Sequence, residues 1–229
     1  MATEFDHNKT ITQAARSILK PHGLFQKGSS RTWIDDNGWY LTVVEFQPSN
    51  WGKGSYLNVG INFLWRQQDY LSFDFGSREH SFVSAEDLTS FCSKAADLSQ
   101  IALDIVMKYR SFRDLRFACE QILNNNAGIP SHLLYHKMMV CGLIEDPRVV
   151  NHYNALWDQI RFSEFPFESV YRQELEEQID PIIFDTAQFK AYILTKIQRQ
   201  REFWRSKSSM KRLAETFGDC HASVRTGSQ

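Results

Sequence analysis

Two histidines four residues apart form the first arrangement in this sequence that could do chemistry. His132 and His136 lie in a predicted helix, where side chains at this spacing share one face and could hold a metal ion. The zinc-protease pattern also needs a glutamate directly after the first histidine as general base, and Leu133 stands there. A third ligand is not obvious, although His152 on a neighbouring predicted helix is conceivable. We therefore expect solvated or core histidines, and we predict no metal and no other cofactor.

Carboxylates on consecutive predicted strands form a second arrangement. Asp35, Asp36 and Glu45 loosely resemble the Asp…Glu-x-Lys core of many nucleases, which holds a divalent metal and uses the lysine to help activate water. Gln47 stands at the lysine position, and Asp35-Asp36-Asn37-Gly38 is already explained as a turn. A cryptic metal-dependent, nuclease-like enzyme is therefore an alternative interpretation only. Because the chain contains no Gly-x-Ser-x-Gly elbow, Cys–His signature or Walker pattern, we predict no catalytic residue.

A basic segment near the C-terminus has the composition of a nucleic-acid contact. Residues 190–212 contain eight basic side chains and one acidic one, with Phe203 and Trp204 placed among them. Such a mixture can bind phosphates and stack bases. The residues assigned to that contact are Arg199, Arg201, Trp204 and Arg205. The preceding residues 164–185 contain seven acidic side chains, so the two segments are also expected to pair within the protein. A nucleic-acid-binding accessory protein is therefore the second interpretation.

Composition limits the remaining possibilities. The chain has 229 residues, 42% of them hydrophobic and 14% aromatic, with a formal net charge of −1. Such a chain can bury a sizeable core without a disulfide or metal, and its net charge gives no general attraction to nucleic acid or membranes. The first ten residues lack a signal-peptide pattern, and no run approaches 18 apolar residues. We expect a cytoplasmic protein with no membrane contact.

The hydrophobic pattern predicts the elements that must position these residues. A helix over residues 8–22 precedes a four-stranded antiparallel meander. The predicted strands are Phe25–Ile34, Trp39–Phe46, Ser55–Trp65 and Asp69–Phe75, with a tight Asn37-Gly38 turn between the first two. Ser84 is a predicted helix N-cap, and after it the hydrophobic residues recur at the 3.6-residue period of a helix. The predicted helices end at about Tyr109, Leu123, Cys141, Phe162 and Ser206. This is an α+β fold: an N-terminal helix and antiparallel sheet, followed by a helical C-terminal part.

The domain organisation follows from the same change of period. We predict a sheet module over residues 1–83, a helical part over 84–217 that packs on it or continues the same domain, and a flexible tail over 218–229.

Residue alternation along the strands gives the sheet an apolar face and a polar face. Leu57, Val59 and Ile61 fall on the apolar face, whereas Asn58 and Asn62 fall on the other. Polar side chains beside an exposed aromatic residue suit recognition of a partner, although a solvated outer face is equally typical of antiparallel sheets. The predicted partner-binding or ligand-binding residues are Gln47, Ser49, Trp51, Asn58, Asn62 and Asp74.

Three segments of this region also carry a family resemblance. They are Lys20-Pro21-His22-Gly23-Leu24-Phe25 with Lys27-Gly28, then Gln47-Pro48-Ser49-Asn50-Trp51, then Asn58-Val59-Gly60-Ile61. In this order, over about residues 10–75, they resemble the bacterial domain of unknown function family four-three-zero-four. The sequence departs from that pattern at Leu24, where Phe is usual, and at Ser29, which interrupts the basic run. The resemblance implies an α+β fold and bacterial origin, but no activity, substrate or catalytic residue.

The leading interpretation is a non-enzymatic binding protein. It would present the polar sheet face and the Gln47–Gly54 loop to a protein partner, as a component of a bacterial immunity or defence system. The basis is that polar and aromatic groups are placed for contact without any accompanying nucleophile–base pair or metal-ligand set.

Overall fold

The architecture is α+β, as the sequence predicts. The computed structural model describes residues 5–207 and 210–216, and shows an N-terminal helix, an antiparallel sheet and a helical C-terminal part. The predicted tail at 218–229 lies outside the described residues. Over the part of the chain that is described, no helix is long and apolar enough to cross a membrane.

The chain divides into two compact units. The first combines the residues up to Arg110 with those from Arg199 onward, and the second spans Ser111–Gln198. Helix α2, which the sequence-based division assigns to the helical part, is grouped with the sheet in the first unit.

Two helices flank the sheet in sequence within the first unit. Helix α1, His7–Leu19, begins after Asp6, whose carboxylate accepts hydrogen bonds from the N–H groups of Asn8 and Lys9. Helix α2, Leu88–Tyr109, begins after Asp87, which accepts a hydrogen bond from Ser90 N–H. The predicted N-cap at Ser84 is therefore wrong: Ser84 is the last residue of a strand, and Asp87 supplies the capping carboxylate.

The sheet has five strands rather than the predicted four. They are β1 Phe25–Gln26, β2 Thr32–Asp36, β3 Tyr40–Gln47, β4 Gly54–Phe63 and β5 Phe75–Ser84, arranged in sequence order and all antiparallel. The first predicted strand is divided into β1 and β2. The predicted strand Asp69–Phe75 lies almost entirely in irregular chain, and the following segment pairs with β4 instead. Strand β5 lies at the sheet edge and is largely exposed, so its sequence lacks the alternation that identifies a half-buried strand.

The β2–β3 hairpin confirms the turn predicted at Asn37-Gly38. Gly38 adopts a φ of 86°, in the left-handed region that glycine accepts without strain. Its N–H donates to Asp36 Oδ1 at 3.0 Å, and the Asn37 side chain donates to Asp35 Oδ2 at 3.0 Å.

One face of the sheet packs against α1 and α2 to form the main core of the first unit. The strands contribute Trp33, Val44, Phe46, Leu57 and Val59, and the helices contribute buried side chains including Ile11, Ala15, Phe91, Leu98 and Val106. Asp35 is buried and forms a bidentate pair with Arg110, at 2.8 and 3.0 Å. That pairing raises the pKa of Arg110. We call this side of the sheet the helix-covered face.

The second unit is entirely helical. Its helices are α3 Leu115–Asn124, α4 Pro130–Leu143, α5 Val149–Ile160 and α6 Pro166–Glu174, which continues into a π-helical turn at Leu175–Ile179. The last helix, α7, covers Thr186–Ser206, the bounds that the sequence predicts, and continues past residue 198 into the first unit.

Acidic and basic helices pair within the second unit, as the charge pattern predicts. Glu174 at the end of α6 accepts hydrogen bonds from Lys196 Nζ at 2.6 Å, Tyr192 Oη at 2.8 Å and Tyr135 Oη at 2.9 Å. Desolvation raises the pKa of the buried Tyr135, and the charge of Glu174 adds to the effect. Lys190 of α7 forms a further ion pair with Glu145.

Candidate functional site

The face of the sheet opposite α1 and α2 carries the predicted polar residues, and we call it the second face. The strand register places Thr32, Glu45 and Asn58 in one row across β2, β3 and β4. A parallel row contains Asp36, Leu41 and Asn62, and between the two rows lie Ile34, Val43 and Gly60. Residue alternation therefore assigned Asn58 and Asn62 to the correct side.

One end of the second face is buried rather than solvated. Asn62 is 1% exposed, and its side-chain amide donates to Ser72 Oγ and Asp74 Oδ2, both at 3.3 Å. Asp74 also accepts from Phe63 N–H at 2.9 Å and from Arg66 at 3.2 Å. We call Asn62, Arg66, Ser72 and Asp74 the buried polar cluster. It bonds the irregular segment 66–74 to β4, so Asn62 and Asp74 are structural contacts and do not form the open contact surface that the polar pattern predicts.

Gly60 allows the same segment to approach the centre of the face. A Cβ atom at this position would lie 2.6 Å from the Phe73 ring and 2.7 Å from the Phe75 carbonyl oxygen. Real side chains do not tolerate such distances, so only glycine permits this packing. The glycine in the Asn-x-Gly-Ile stretch therefore has a steric explanation.

The basic segment supplies a second cover for this face. Arg201 is 0% exposed and forms a bidentate pair with Asp36, at 2.6 and 2.8 Å, while also donating to the Gly38 carbonyl oxygen. Asp36 further accepts from Ala214 N–H at 2.9 Å. Beside this pair, Gln200 donates to the Gln68 carbonyl oxygen at 2.6 Å. The part of α7 from Arg199 onward is thus bonded to the second face and to the 66–74 segment, and Ala214 is bonded to the same face.

The four residues assigned to nucleic-acid contact have different surroundings. Arg199 is exposed, and Arg205 forms an ion pair with Glu215 at 2.9 Å. Arg201 and Trp204 are both buried, so neither is placed to bind a phosphate or stack a base. The four do not form one exposed basic surface.

The other end of the second face is less covered: Arg78 is exposed and Glu45 and Gln47 are half-buried, although Asn58 between them is only 8% exposed. Asn58 donates to Glu45 Oε2 at 2.9 Å and to Gln47 Oε1 at 3.0 Å. Arg78 of β5 donates to Asn58 Oδ1 at 3.3 Å and to Gln47 Oε1 at 3.0 Å, and its guanidinium lies 4.2 Å above the centre of the Tyr56 ring. We call Glu45, Gln47, Asn58 and Arg78 the open polar cluster. Arg78 is exposed and held in place by neutral amides and a ring, and it forms no ion pair with any described residue.

The Gln47–Gly54 loop lies next to this cluster and carries Trp51, the most exposed aromatic residue among residues 5–207 and 210–216. Trp51 is 96% exposed. Ser49 turns the loop by accepting a hydrogen bond from Trp51 N–H at 3.1 Å, and Arg31 donates to the Gly54 carbonyl oxygen at 3.3 Å. Burial lowers the pKa of Arg31 to about 10, with Glu45 acting in the opposite direction. Gly52 and Gly54 lie against Phe82, whose ring is 5.1 Å from Tyr56.

The other arrangements considered from sequence do not form sites. Asp35 and Asp36 point to opposite faces of β2 and each is paired with its own arginine, so they do not share a metal position with Glu45. His132 packs against Phe167 and Tyr171 in the second unit, and His136 is buried against Tyr135. Among residues 5–207 and 210–216, no group of three or more His, Cys, Asp or Glu side chains is arranged to hold a metal ion.

Sequence reasoning missed Arg78 and Tyr56. The register of β5 places Arg78 directly opposite Asn58, but this pairing was hidden because β5 was not recognised as a strand. Tyr56 lies opposite Gln47 in the register of β3 and β4, and the position of Arg78 above its ring gives it a part in the cluster.

Comparison with known proteins gives no further assignment. A scan against protein-family models found no match, and neither did a search of curated proteins or a search of solved structures. The resemblance to domain of unknown function family four-three-zero-four stays a prediction.

Proposed function

We propose that this protein is a non-enzymatic binding protein that captures a protein partner through Trp51 and the adjoining open polar cluster. The observation that carries the proposal is the 96% exposure of Trp51 beside an exposed arginine that is held in place by its neighbours. Interfaces between proteins commonly place an aromatic residue at the centre of a polar rim, which is the arrangement of Trp51 and its neighbours.

The residue types agree with this function. Trp, Tyr and Arg are the side chains that most often dominate the binding energy of protein interfaces. Trp51, Tyr56 and Arg78 all belong to this one region, and the amides of Asn58 and Gln47 together with the Tyr56 ring hold the guanidinium in position. An arginine held in this way loses little conformational entropy when it binds, so more of the contact energy is realised.

Charge indicates the chemistry of the partner. Arg78 uses two of its nitrogens to bond neutral side-chain oxygens and is not neutralised by a carboxylate among the described residues. We therefore propose a partner with an apolar recess for Trp51 and a carboxylate for Arg78. A component of a bacterial immunity or defence system remains the biological setting that we propose for such a pair.

The test is affinity purification of the full chain from its native cells, followed by mass spectrometry. We expect one protein to co-purify with the wild type and to be lost with Trp51→Ala, with no fall in melting temperature. Phe162→Ala is the matched control, because Phe162 is 84% exposed but lies in the second unit.

The assignment fails if the same protein is retained by Trp51→Ala and lost with Phe162→Ala. It also fails if the purified partner protects the second unit, rather than residues 47–58 and 75–84, from hydrogen exchange.

A further inference from the structure

A cavity elsewhere in the first unit differs in chemistry from the open polar cluster. It is a cavity of about 350 Å³ whose lining includes the four cations Arg16, Lys20, Lys211 and Arg212. The lining contains no Asp or Glu side chain. These cations come from α1, from the turn that follows α1, and from residues 210–216, so the tertiary structure rather than one basic run brings them together.

The four cations are not neutralised by the part of the chain that the structure describes. None of them forms an ion pair with a described carboxylate. Within the described residues, the one side-chain hydrogen bond of the four cations joins Arg16 Nη2 to the neutral Gln26 Oε1 at 3.1 Å. The whole chain has 26 basic and 27 acidic side chains, so a general excess of cations does not explain the cluster. Like charges in one cavity repel each other, and a bound polyanion would remove that cost.

A buried donor supplies an independent observation. Trp33 also lines the cavity and is 1% exposed, and its indole Nε1 has no hydrogen-bond partner among the described residues. A buried N–H group without an acceptor costs about 1–3 kcal/mol. An oxygen atom of a bound molecule would supply the missing acceptor.

The remaining lining residues indicate the shape of the ligand. Leu24, Phe25 and Trp33 provide apolar surface beside the cations. Arginine guanidinium groups bind phosphate oxygens in a bidentate manner, and lysines add point charge. We propose that this cavity binds a small phosphorylated molecule, with its phosphate oxygens on the four cations and an apolar or aromatic part against Leu24, Phe25 and Trp33.

The proposal is distinct from nucleic-acid binding. A nucleic-acid surface is an extended groove or stripe that follows the phosphate backbone, whereas these cations line a bounded cavity. It is also distinct from the proposed partner surface, because no residue is shared between the cavity and the Trp51 region.

Isothermal titration calorimetry on the full chain at low ionic strength tests the proposal. The probes are inorganic pyrophosphate, inorganic phosphate and phenyl phosphate. We expect saturable pyrophosphate binding that weakens with added salt, and tighter binding of phenyl phosphate than of inorganic phosphate because of the apolar wall.

Charge reversal at exposed positions provides the decisive variants. Lys211→Glu/Arg212→Glu and Arg16→Glu should each weaken pyrophosphate binding by about tenfold or more, because each reverses charge that faces the anion. The matched controls are Lys9→Glu, on the same helix as Arg16, and Lys9→Glu/Arg199→Glu, which changes net charge as the double variant does. These positions are exposed and lie outside the cavity lining, so pyrophosphate affinity should be unchanged.

Three results would overturn the proposal. The first is no measurable heat with pyrophosphate or phenyl phosphate at low salt. The second is an equal loss of affinity in the control variants. The third is a single-stranded oligonucleotide that binds more tightly than either probe and loses affinity in the Lys211→Glu/Arg212→Glu variant, since this would assign the cations to nucleic acid.

Discussion

The two polar clusters on the second face of the sheet have similar composition and opposite surroundings. The buried cluster contains Asn62, Ser72, Asp74 and Arg66, and the open cluster contains Glu45, Gln47, Asn58 and Arg78. Each contains a strand asparagine, a carboxylate and an arginine. In the buried cluster Asp74 bonds both Asn62 and Arg66, whereas in the open cluster Asn58 bonds both Glu45 and Arg78. In the first, the partners belong to the segment that covers the sheet, whereas in the second they belong to neighbouring strands.

This difference separates polar residues that hold the fold together from those available for contact. Once segment 66–74 lies over the face, the polar groups beneath it depend on partners inside the protein, because an unpaired buried group is costly. Asn62 Nδ2 and the Asp74 carboxylate have such partners, whereas Asn62 Oδ1 has none among the described residues. At the open end, water can hydrogen-bond the polar groups that have no partner within the protein. The buried cluster should therefore govern stability, and the open cluster should govern binding.

The largest effect is expected at the buried ion pair between Arg201 of α7 and Asp36, which bonds the end of that helix to the same face. Arg201→Ala should lower the free energy of unfolding by about 3–5 kcal/mol, because it leaves Asp36 without its arginine partner. Urea denaturation measures this change. Arg199→Ala, on the exposed side of the same helix, should stay within about 0.5 kcal/mol of the wild type. Equal stability of Arg201→Ala and the wild type would show that the Arg201–Asp36 pair does not hold α7 on the second face.

A smaller loss is expected within the buried polar cluster itself. Asp74→Ala should cost about 1–3 kcal/mol, because the Phe63 N–H and the Asn62 amide lose a buried acceptor. Amide hydrogen exchange over residues 66–74 should also accelerate. Asp69→Ala is the control, since the Asp69 side chain is exposed on the same segment. Unchanged exchange in Asp74→Ala would contradict the assigned role of the cluster.

The smallest effect on stability is expected at the open cluster. Arg78→Ala should change the free energy of unfolding by no more than about 0.5 kcal/mol, because the side chain is exposed. The same variant should weaken capture of the proposed protein partner. A loss of stability as large as that of Asp74→Ala would remove the distinction between the two clusters.

Much of the fold could be predicted from local patterns. The 3.6-residue period located α1 and α7, and Asn37-Gly38 identified the hairpin because both residues tolerate positive φ. Strand β5 was not predicted because this edge strand has no fully buried residue and therefore no clear apolar stripe. The segment at 69–75 was assigned as a strand because Leu71, Phe73 and Phe75 alternate with polar residues, although Phe73 is placed by contact with Gly60.

The candidate sites were predictable only in part. The exposure of Trp51 was predictable because a turn-rich loop followed a β-rich run, and such loops lie at the surface. Its part in binding stays a prediction. The cavity formed around Arg16 and Lys211 could not be found, because its cations are far apart in the sequence and each resembles an ordinary surface residue.

The sequence by itself determined which side of the sheet the residues of β4 occupy, because the alternation of side chains in a strand is a property of the backbone alone. Only the tertiary structure decided which polar residues on that side are buried. That outcome depends on where segment 66–74 and the last turns of α7 come to lie, and it is set by contacts such as Asp36–Arg201 between residues 165 positions apart. Local patterns do not encode such pairings, so exposure, and with it the location of a binding surface, had to be read from the folded chain.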